Sequence, residues 1–414
     1  MKRKEKFKTY IHINIVYFLM MLVYYKYIGE NFNYIAYLKF SNNYIVNKFL
    51  LGAVLVEILA GLILFLKDDF TTIIYLIYLY LNLIPSVVFN TFNEISYYSI
   101  LANVLLLLLL LLSDRVYIKM RRGYLEDNKK IKILASISSI VGIIYFFLYY
   151  KYFNFKNLFL QDIYITRALF RKLGNAILGY LFGMTSRVFA PILLVLAIRY
   201  KKIKYFILGM VVILILYLSG ALKSVFFGMI LVLIFYKGNY AEKIKKINRG
   251  MFALTIFSII ENELFNKSLI TNLIRRVFYV PTYLESKYYI YFKDNFTYGA
   301  HSFFKRFFHE VSYEPSISRY FGEKVMGLSG FNANIGVMVD GYISFGNTGL
   351  LIYITIITLI FVYLKSLKID FRYFGVIVLY VYYINTSILS TLLLTHALAI
   401  FLIVAYFLKN NKEI

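Results

Sequence analysis

The chain has 414 residues, 61% of them hydrophobic and 16% charged, with a formal net charge of +25 and neither cysteine nor tryptophan. One soluble domain of this length could not hide so much apolar surface from water, whereas a bilayer solvates it, so the composition excludes a soluble fold and calls for a membrane protein. The missing cysteines remove disulfides, thiolate metal sites and cysteine nucleophiles, and Lys and Arg fall in short runs between apolar stretches, which speaks for membrane topology and against nucleic acid.

The basic start MKRKEKFK leads into an apolar run from Tyr10 to about Gly29 with no small-residue cleavage site after it, read as a retained first helix whose flank stays inside. Further spans are expected near 49–66, 70–90, 94–113, 132–150, 174–198, 205–219, 224–236, 250–265, 346–364, 373–389 and 391–408. Each is close to the length that crosses roughly 30 Å of hydrocarbon at about 1.5 Å per residue. The expected fold is therefore all-α, a polytopic integral membrane helix bundle of about 12 transmembrane helices. An even count puts both termini in the cytoplasm, together with the densest basic runs, RVYIKMRRGYLEDNKKIK, IRYKKIK and KGNYAEKIKKINR. Between the ninth and tenth spans, residues 266–345 form one long loop on the outer side, where connections in a bundle are usually a few residues. No fixed-period repeat and no Pro/Gly/Ser linker divides residues 1–414, which read as a single membrane domain.

Ionisable groups at membrane depth are costly and face a cavity or a partner, so the few present are candidates. Glu57 lies within LVEILAGLI and reads first as a carboxyl paired or protonated inside the bundle; Glu261 and Glu263 lie in IIENELF. Arg187 in MTSRVFAPI and Lys223 in SGALKS read either as functional cations or as side chains reaching the outer interface. The outer segments add Arg167, Arg171 and Lys172 in DIYITRALFRK, and Arg275 and Arg276 in RRVFYVP. Guanidinium forks match phosphate oxygens bidentately, so arginines beside a membrane suit a lipid phosphate or diphosphate; headgroup anchoring is the plainer alternative. The long loop also carries YLESKYYIYF, His301, His309, Glu310, Glu314 and Asp340, aromatic faces and proton acceptors of the kind that hold sugars. Four histidines spread along the chain do not form a zinc motif, and no nucleotide-binding glycine loop or serine nucleophile elbow is present, so neither metal nor cofactor is expected.

Several of these segments, in this order, resemble the Wzy-type oligosaccharide repeat-unit polymerases of O-antigen and capsule synthesis: DIYITR, LSGALKS, RRVFYVP with YYIYF, GFNANIGVMVDGYISFGNTGLL and STLLLTHALA. The likeness covers the chain from about residue 150 onward. It implies a GT-C-like membrane fold in the broad sense and a glycosyltransferase that joins undecaprenyl-diphosphate-linked oligosaccharides on the outer face of a bacterial cytoplasmic membrane. A chain-length regulator and a flippase of the same pathway are the partners it implies. The related O-antigen ligases carry a His-Asn pair before a closing Gly-x-x-Gly; here Ala333 and Asn334 precede Gly346-Asn-Thr-Gly349, which favours polymerase over ligase and leaves the general base open.

Cleaving a sugar–phosphate bond develops negative charge on the departing diphosphate, and fixed cations must meet it. Arg276, with Arg275 and Arg167 as partners and Lys223 assisting, is the expected diphosphate-binding set, which would work without a divalent metal. The acceptor hydroxyl needs a base, for which Asp340, His301 and His309 are candidates in that order. Tyr288, Asn334 and Tyr342 are the expected sugar contacts. A lipid-linked oligosaccharide flippase, then a ligase, remain as alternatives.

Overall fold

The computed structural model describes residues 1–35, 37–120, 125–307 and 313–408. Among them there are helices and no β-strand. In chain order the ones used below are α1 (Arg3–Ile28), α2 (Val46–Leu64), α3 (Asp69–Phe92), α4 (Tyr98–Arg115), α5 (Asp127–Tyr152), α6 (Ile163–Leu173), α7 (Ala176–Arg199), α8 (Ile203–Gly220), α9 (Lys223–Ile234), α10 (Tyr240–Phe265), α11 (269–291), α12 (Val337–Ser366), α13 (Phe371–Ile384), α14 (Leu389–Leu393) and α15 (Leu398–Ala405). Of the described helices, eight are long and apolar enough to cross a membrane: α1 to α5, α7, α8 and α12. The protein is thus an all-helical membrane protein, and these eight lie where the sequence puts spans.

The remaining expected spans take other forms. Residues 224–236 give α9, only 12 residues long, and 250–265 are the second half of α10, whose first half is the basic run before it. The region 373–389 becomes α13, which stops at Ile384. Residues 391–408 are broken: α14 and α15 are separated at 394–397, where Ala397 has φ +57°. The expected outer loop contains α11, a 23-residue helix too polar to rank with the eight, and its last residues are the first half of α12.

Three of the four prolines explain the shape of their helices. Proline lacks the N–H that the carbonyl four residues earlier would accept, and its ring crowds that carbonyl. Ahead of Pro85, Pro191 and Pro281 the helix widens into a π-turn, at Leu79–Leu83, Thr185–Phe189 and Arg275–Tyr279. Each turn includes the residue four before the proline, Leu81, Arg187 or Val277, so the widening falls where the ladder is broken.

Two compact units make up the chain. The first comprises residues 1–118, 240–365 and 385–388, with α3 the most enclosed of its spanning helices. Several buried polar groups in it are paired: Tyr80 donates to Asn248 Oδ1 (2.9 Å), Tyr279 to the Met20 carbonyl (3.1 Å), and Lys365 Nζ to the carbonyls of Ser113 (2.7 Å) and Asp114 (2.8 Å). Such bonds are required where no water competes. The second unit comprises residues 119–239, 366–384 and 389–414. Its core joins Val141, Tyr145 and Tyr149 of α5 to Phe182 and Leu194 of α7 and to Val212, Leu216 and Tyr217 of α8. At one end Asp370 pairs with Arg199 (3.2 Å) and Arg372 (2.7 Å).

Candidate functional site

The first unit brings together two residues of the expected catalytic set. Its geometry begins at Gly346, whose φ of +62° and ψ of −142° break α12 into two helices in a conformation that only glycine adopts freely. The break leaves the last carbonyls of the first half-helix without intrahelical donors. Residues 297 and 298 supply them: Thr297 N–H donates to the Ile343 carbonyl (2.8 Å) and Tyr298 N–H to that of Ser344 (3.0 Å). The chain turns there through 299–304 and lays His301 against Asp340, one turn back along the half-helix, with Nε2 2.7 Å from Oδ1. On the other side of the ring, His301 Nδ1 is 2.8 Å from Thr297 Oγ1, which is also 3.1 Å from the Ile343 carbonyl. Both the His301 and Asp340 side chains are fully buried.

The single hydroxyl proton of Thr297 faces two acceptors, so the array has two coherent states. When it points to Nδ1, His301 is neutral with its proton on Nε2 toward Asp340. When it turns to the Ile343 carbonyl, Nδ1 is free to carry a second proton and donate it to Thr297, with Asp340 opposite the imidazolium charge. His301 can thus accept a proton with only a hydroxyl rotation, the arrangement by which a carboxylate orients a histidine base. Sequence reasoning named His301 and Asp340 as separate candidates; it missed their pairing and missed Thr297. His309 and Glu310 lie outside the described residues.

The turn is held tightly. A Cβ on Gly349 would lie 2.0 Å from the Gly341 carbonyl oxygen, and one on Gly341 2.5 Å from that of Gly349, so the two halves of α12 touch backbone to backbone.

The expected cations divide between the units. In the first, Arg275 is only 1% exposed: Nε and Nη2 donate to Asn272 Oδ1 (3.2 and 2.5 Å), and the guanidinium lies 4.7 Å from the Phe32 ring centroid. Its Nη1 is buried without an acceptor among the described residues. Arg276, its neighbour on the π-turn of α11, is exposed. In the second unit, Arg167 Nε donates to the Ala221 carbonyl (3.1 Å) at the C-terminus of α8, a favourable place for a cation. Lys223, half-buried, opens α9 two residues further on.

The expected sugar contacts fare differently. Tyr288 is fully buried, stacked on Phe321 with ring centroids 3.7 Å apart, and its hydroxyl donates to the Ala333 carbonyl (2.9 Å). Tyr342, 2% exposed, is enclosed by Tyr98 (4.5 Å), Tyr289 (4.9 Å) and Phe296 (5.9 Å). Neither ring offers an open face here, because protein rings already occupy both. Asn334 is exposed.

The other candidates find local partners. Glu57 accepts from the Tyr10 hydroxyl; Glu261 accepts the N–H groups of Leu269 (2.9 Å) and Ile270 (2.7 Å) and so caps α11; Glu263 meets Tyr27 and Lys26. One acidic residue that sequence reasoning passed over stands apart. Glu285, on α11, is 6% exposed and has no hydrogen bond or ion pair among the described residues; burial pushes its carboxyl up to about 8. Its signal in the sequence, a Glu inside the aromatic run YLESKYYIY, is the same one that marks the run as buried.

Comparison of the chain with models of known families, with curated proteins and with solved structures finds no match.

Proposed function

We propose that this chain is a membrane glycosyltransferase that joins saccharide repeat units carried on undecaprenyl diphosphate. It would work on the outer face of a bacterial cytoplasmic membrane, through 12 spans with a GT-C-like arrangement and both termini inside. The observation that carries the reading is the Asp340–His301–Thr297 array, set in the segment expected outside from the charge pattern. An acceptor sugar hydroxyl that donates to Thr297 Oγ1 gives its proton to that oxygen while the Thr297 hydroxyl proton passes to His301 Nδ1, as the sugar oxygen attacks the anomeric carbon of the donor. The bond from that carbon to the diphosphate breaks, and the diphosphate leaves with the electron pair. Asp340 stabilises the imidazolium, a service worth about 10²- to 10⁴-fold in comparable bases. The exposed Arg276 meets the diphosphate charge. A flippase delivers the units and a chain-length regulator sets when extension ends.

A second reading, transport of the same lipid-linked saccharide, is favoured by one observation: the last expected span is interrupted at 394–397, as helices at transporter binding sites commonly are. Disrupting the gene and recording the size and leaflet of the lipid-linked glycans separates the readings. Single repeat units accumulating on the outer leaflet are expected for the polymerase. Units trapped on the inner leaflet would establish the transporter, and long polymer left on its carrier lipid would establish a ligase.

A further inference from the structure

The second unit holds a charged group that this chemistry does not use. Arg187 sits on the π-turn of α7, inside a helix apolar enough to span the membrane, and is 4% exposed. An arginine at such depth is expensive unless something repays it. Its recorded partners are all neutral: Nε donates to the Tyr383 hydroxyl (3.0 Å), Nη1 to the Thr395 carbonyl (2.9 Å), and the guanidinium lies 5.0 Å from the Tyr383 ring centroid. No described carboxylate pairs with it. Of its five N–H donors, two are used, and Nη2 has no acceptor among the described residues.

The segment facing it is the break between α14 and α15. The break brings α7 very close, since a Cβ on Gly183, one turn before Arg187, would fall 2.1 Å from the Thr395 carbonyl oxygen. The four carbonyls of the break, which would repel an anion, are already engaged: that of Leu394 by the Ala397 N–H (3.1 Å), that of Thr395 by Arg187, and those of His396 and Ala397 by the Tyr380 hydroxyl (3.1 and 3.3 Å). Directly after Ala397, α15 begins, and the N–H groups of its first turn have no intrahelical acceptor. What remains unanswered at the break is positive: a guanidinium edge and a helix N-terminus, held by a backbone whose Ala397 φ of +57° is one that alanine rarely adopts.

We infer that Arg187, Tyr383 and the 394–397 break form an oxyanion site at membrane depth that takes a phosphate or diphosphate group. Tyr383 fixes one edge of the guanidinium and leaves the other as a fork for two phosphate oxygens. The inference does not depend on what the His301–Asp340 array does. Its depth favours a phosphate carried on a lipid over one arriving from water.

The test uses the full chain purified in detergent, with undecaprenyl diphosphate, inorganic pyrophosphate and undecaprenol as probes, and binding read by native mass spectrometry. Undecaprenyl diphosphate is expected to bind and undecaprenol not. Arg187→Gln should weaken binding at least about tenfold, the scale of a lost charge-assisted bond, whereas His301→Ala should leave it in place even if the catalytic reading fails. Binding of inorganic pyrophosphate as tight as that of the lipid would keep the oxyanion site and move its source to water. If Arg187→Gln does not give a monodisperse protein, Arg187→Lys decides, because it keeps the charge and loses the fork; it too should bind at least about tenfold more weakly. Equal binding of undecaprenol, or wild-type affinity in the folded Arg187 variant, overturns the site.

Discussion

Glu285 offers the sharpest physical test of the first unit, because its carboxyl is enclosed on α11 with no donor among the described residues to stabilise its charge. An unfolded chain gives up this proton near 4.5, whereas the folded one holds it to about 8. Between those values the folded state binds one proton more than the unfolded state, so stability contributed by the neutral acid is complete below 4.5 and is lost as pH rises. At about 1.4 kcal/mol per pH unit, the loss reaches about 3 kcal/mol at pH 7 and levels off near 5 kcal/mol above pH 8. Glu285→Gln replaces the acid with a neutral group of the same shape and removes this slope. With no tryptophan and no cysteine in the chain, neither indole fluorescence nor a thiol dye can follow unfolding. Circular dichroism at 222 nm in detergent at pH 5, 6, 7 and 8 can. The variant's melting temperature should gain on the wild type by a few degrees between pH 5 and pH 8. Comparing slopes cancels the cost of burying the amide, which is the same at every pH. Parallel curves for the two proteins would refute the reasoning and place the carboxyl in water or against a donor.

Three further outcomes are expected. Asp340→Asn should lower chain extension by about 10²- to 10⁴-fold with the protein still folded, and Thr297→Ser, which keeps the hydroxyl, should retain far more activity than Thr297→Ala; equal rates in the two Thr297 variants would remove the relay. Arg276→Ala should abolish polymer in a complementation assay without changing the amount of membrane protein, whereas Arg275→Ala, which empties a buried site against Asn272 and Phe32, should lower that amount by immunoblot; the reverse pattern would exchange their roles. Gly349→Ala should cost several kcal/mol or prevent folding, since its Cβ meets a backbone oxygen that cannot step aside, and an unchanged yield of monodisperse protein would show that α12 opens at its break.

What could be read from the sequence follows from how each feature is encoded. Spans such as α5 and α8 are continuous apolar runs, so composition alone marks them, and the boundary expected at residue 346 coincides with the glycine that breaks α12. The interruption at 394–397 is invisible in the same way, because LLLTHALAIFL keeps a high apolar content while Ala397 turns to positive φ. The chemistry of His301 and Asp340 is legible as residue type, but their pairing spans 39 positions and depends on Thr297 and Tyr298 capping a half-helix. Tyr288 and Tyr342 read as sugar contacts because a tyrosine looks the same in sequence whether its ring meets a ligand or, as here, Phe321 and Tyr98.

The prolines held a sharper signal than the aromatics. Pro191 withholds the N–H that the Arg187 carbonyl would accept, so the deepest arginine of the second unit sits on the turn that its proline loosens. Pro281 acts likewise on Val277, on the π-turn that carries Arg275 and Arg276, and Pro85 on Leu81, beside Asn82, whose side chain exchanges hydrogen bonds with Asn385 at 3.2 and 3.0 Å. In each case a polar side chain lies three to six residues ahead of a helical proline. A regular helix would fix the direction of that side chain by its 3.6-residue period, whereas a π-turn adds a residue to the turn and re-aims it. For a chain with four prolines, that spacing narrows the charged and amide side chains of helical segments worth mutating to Asn82, Arg187, Arg275 and Arg276, and Arg187 is the one charged group among them that sits inside a spanning helix.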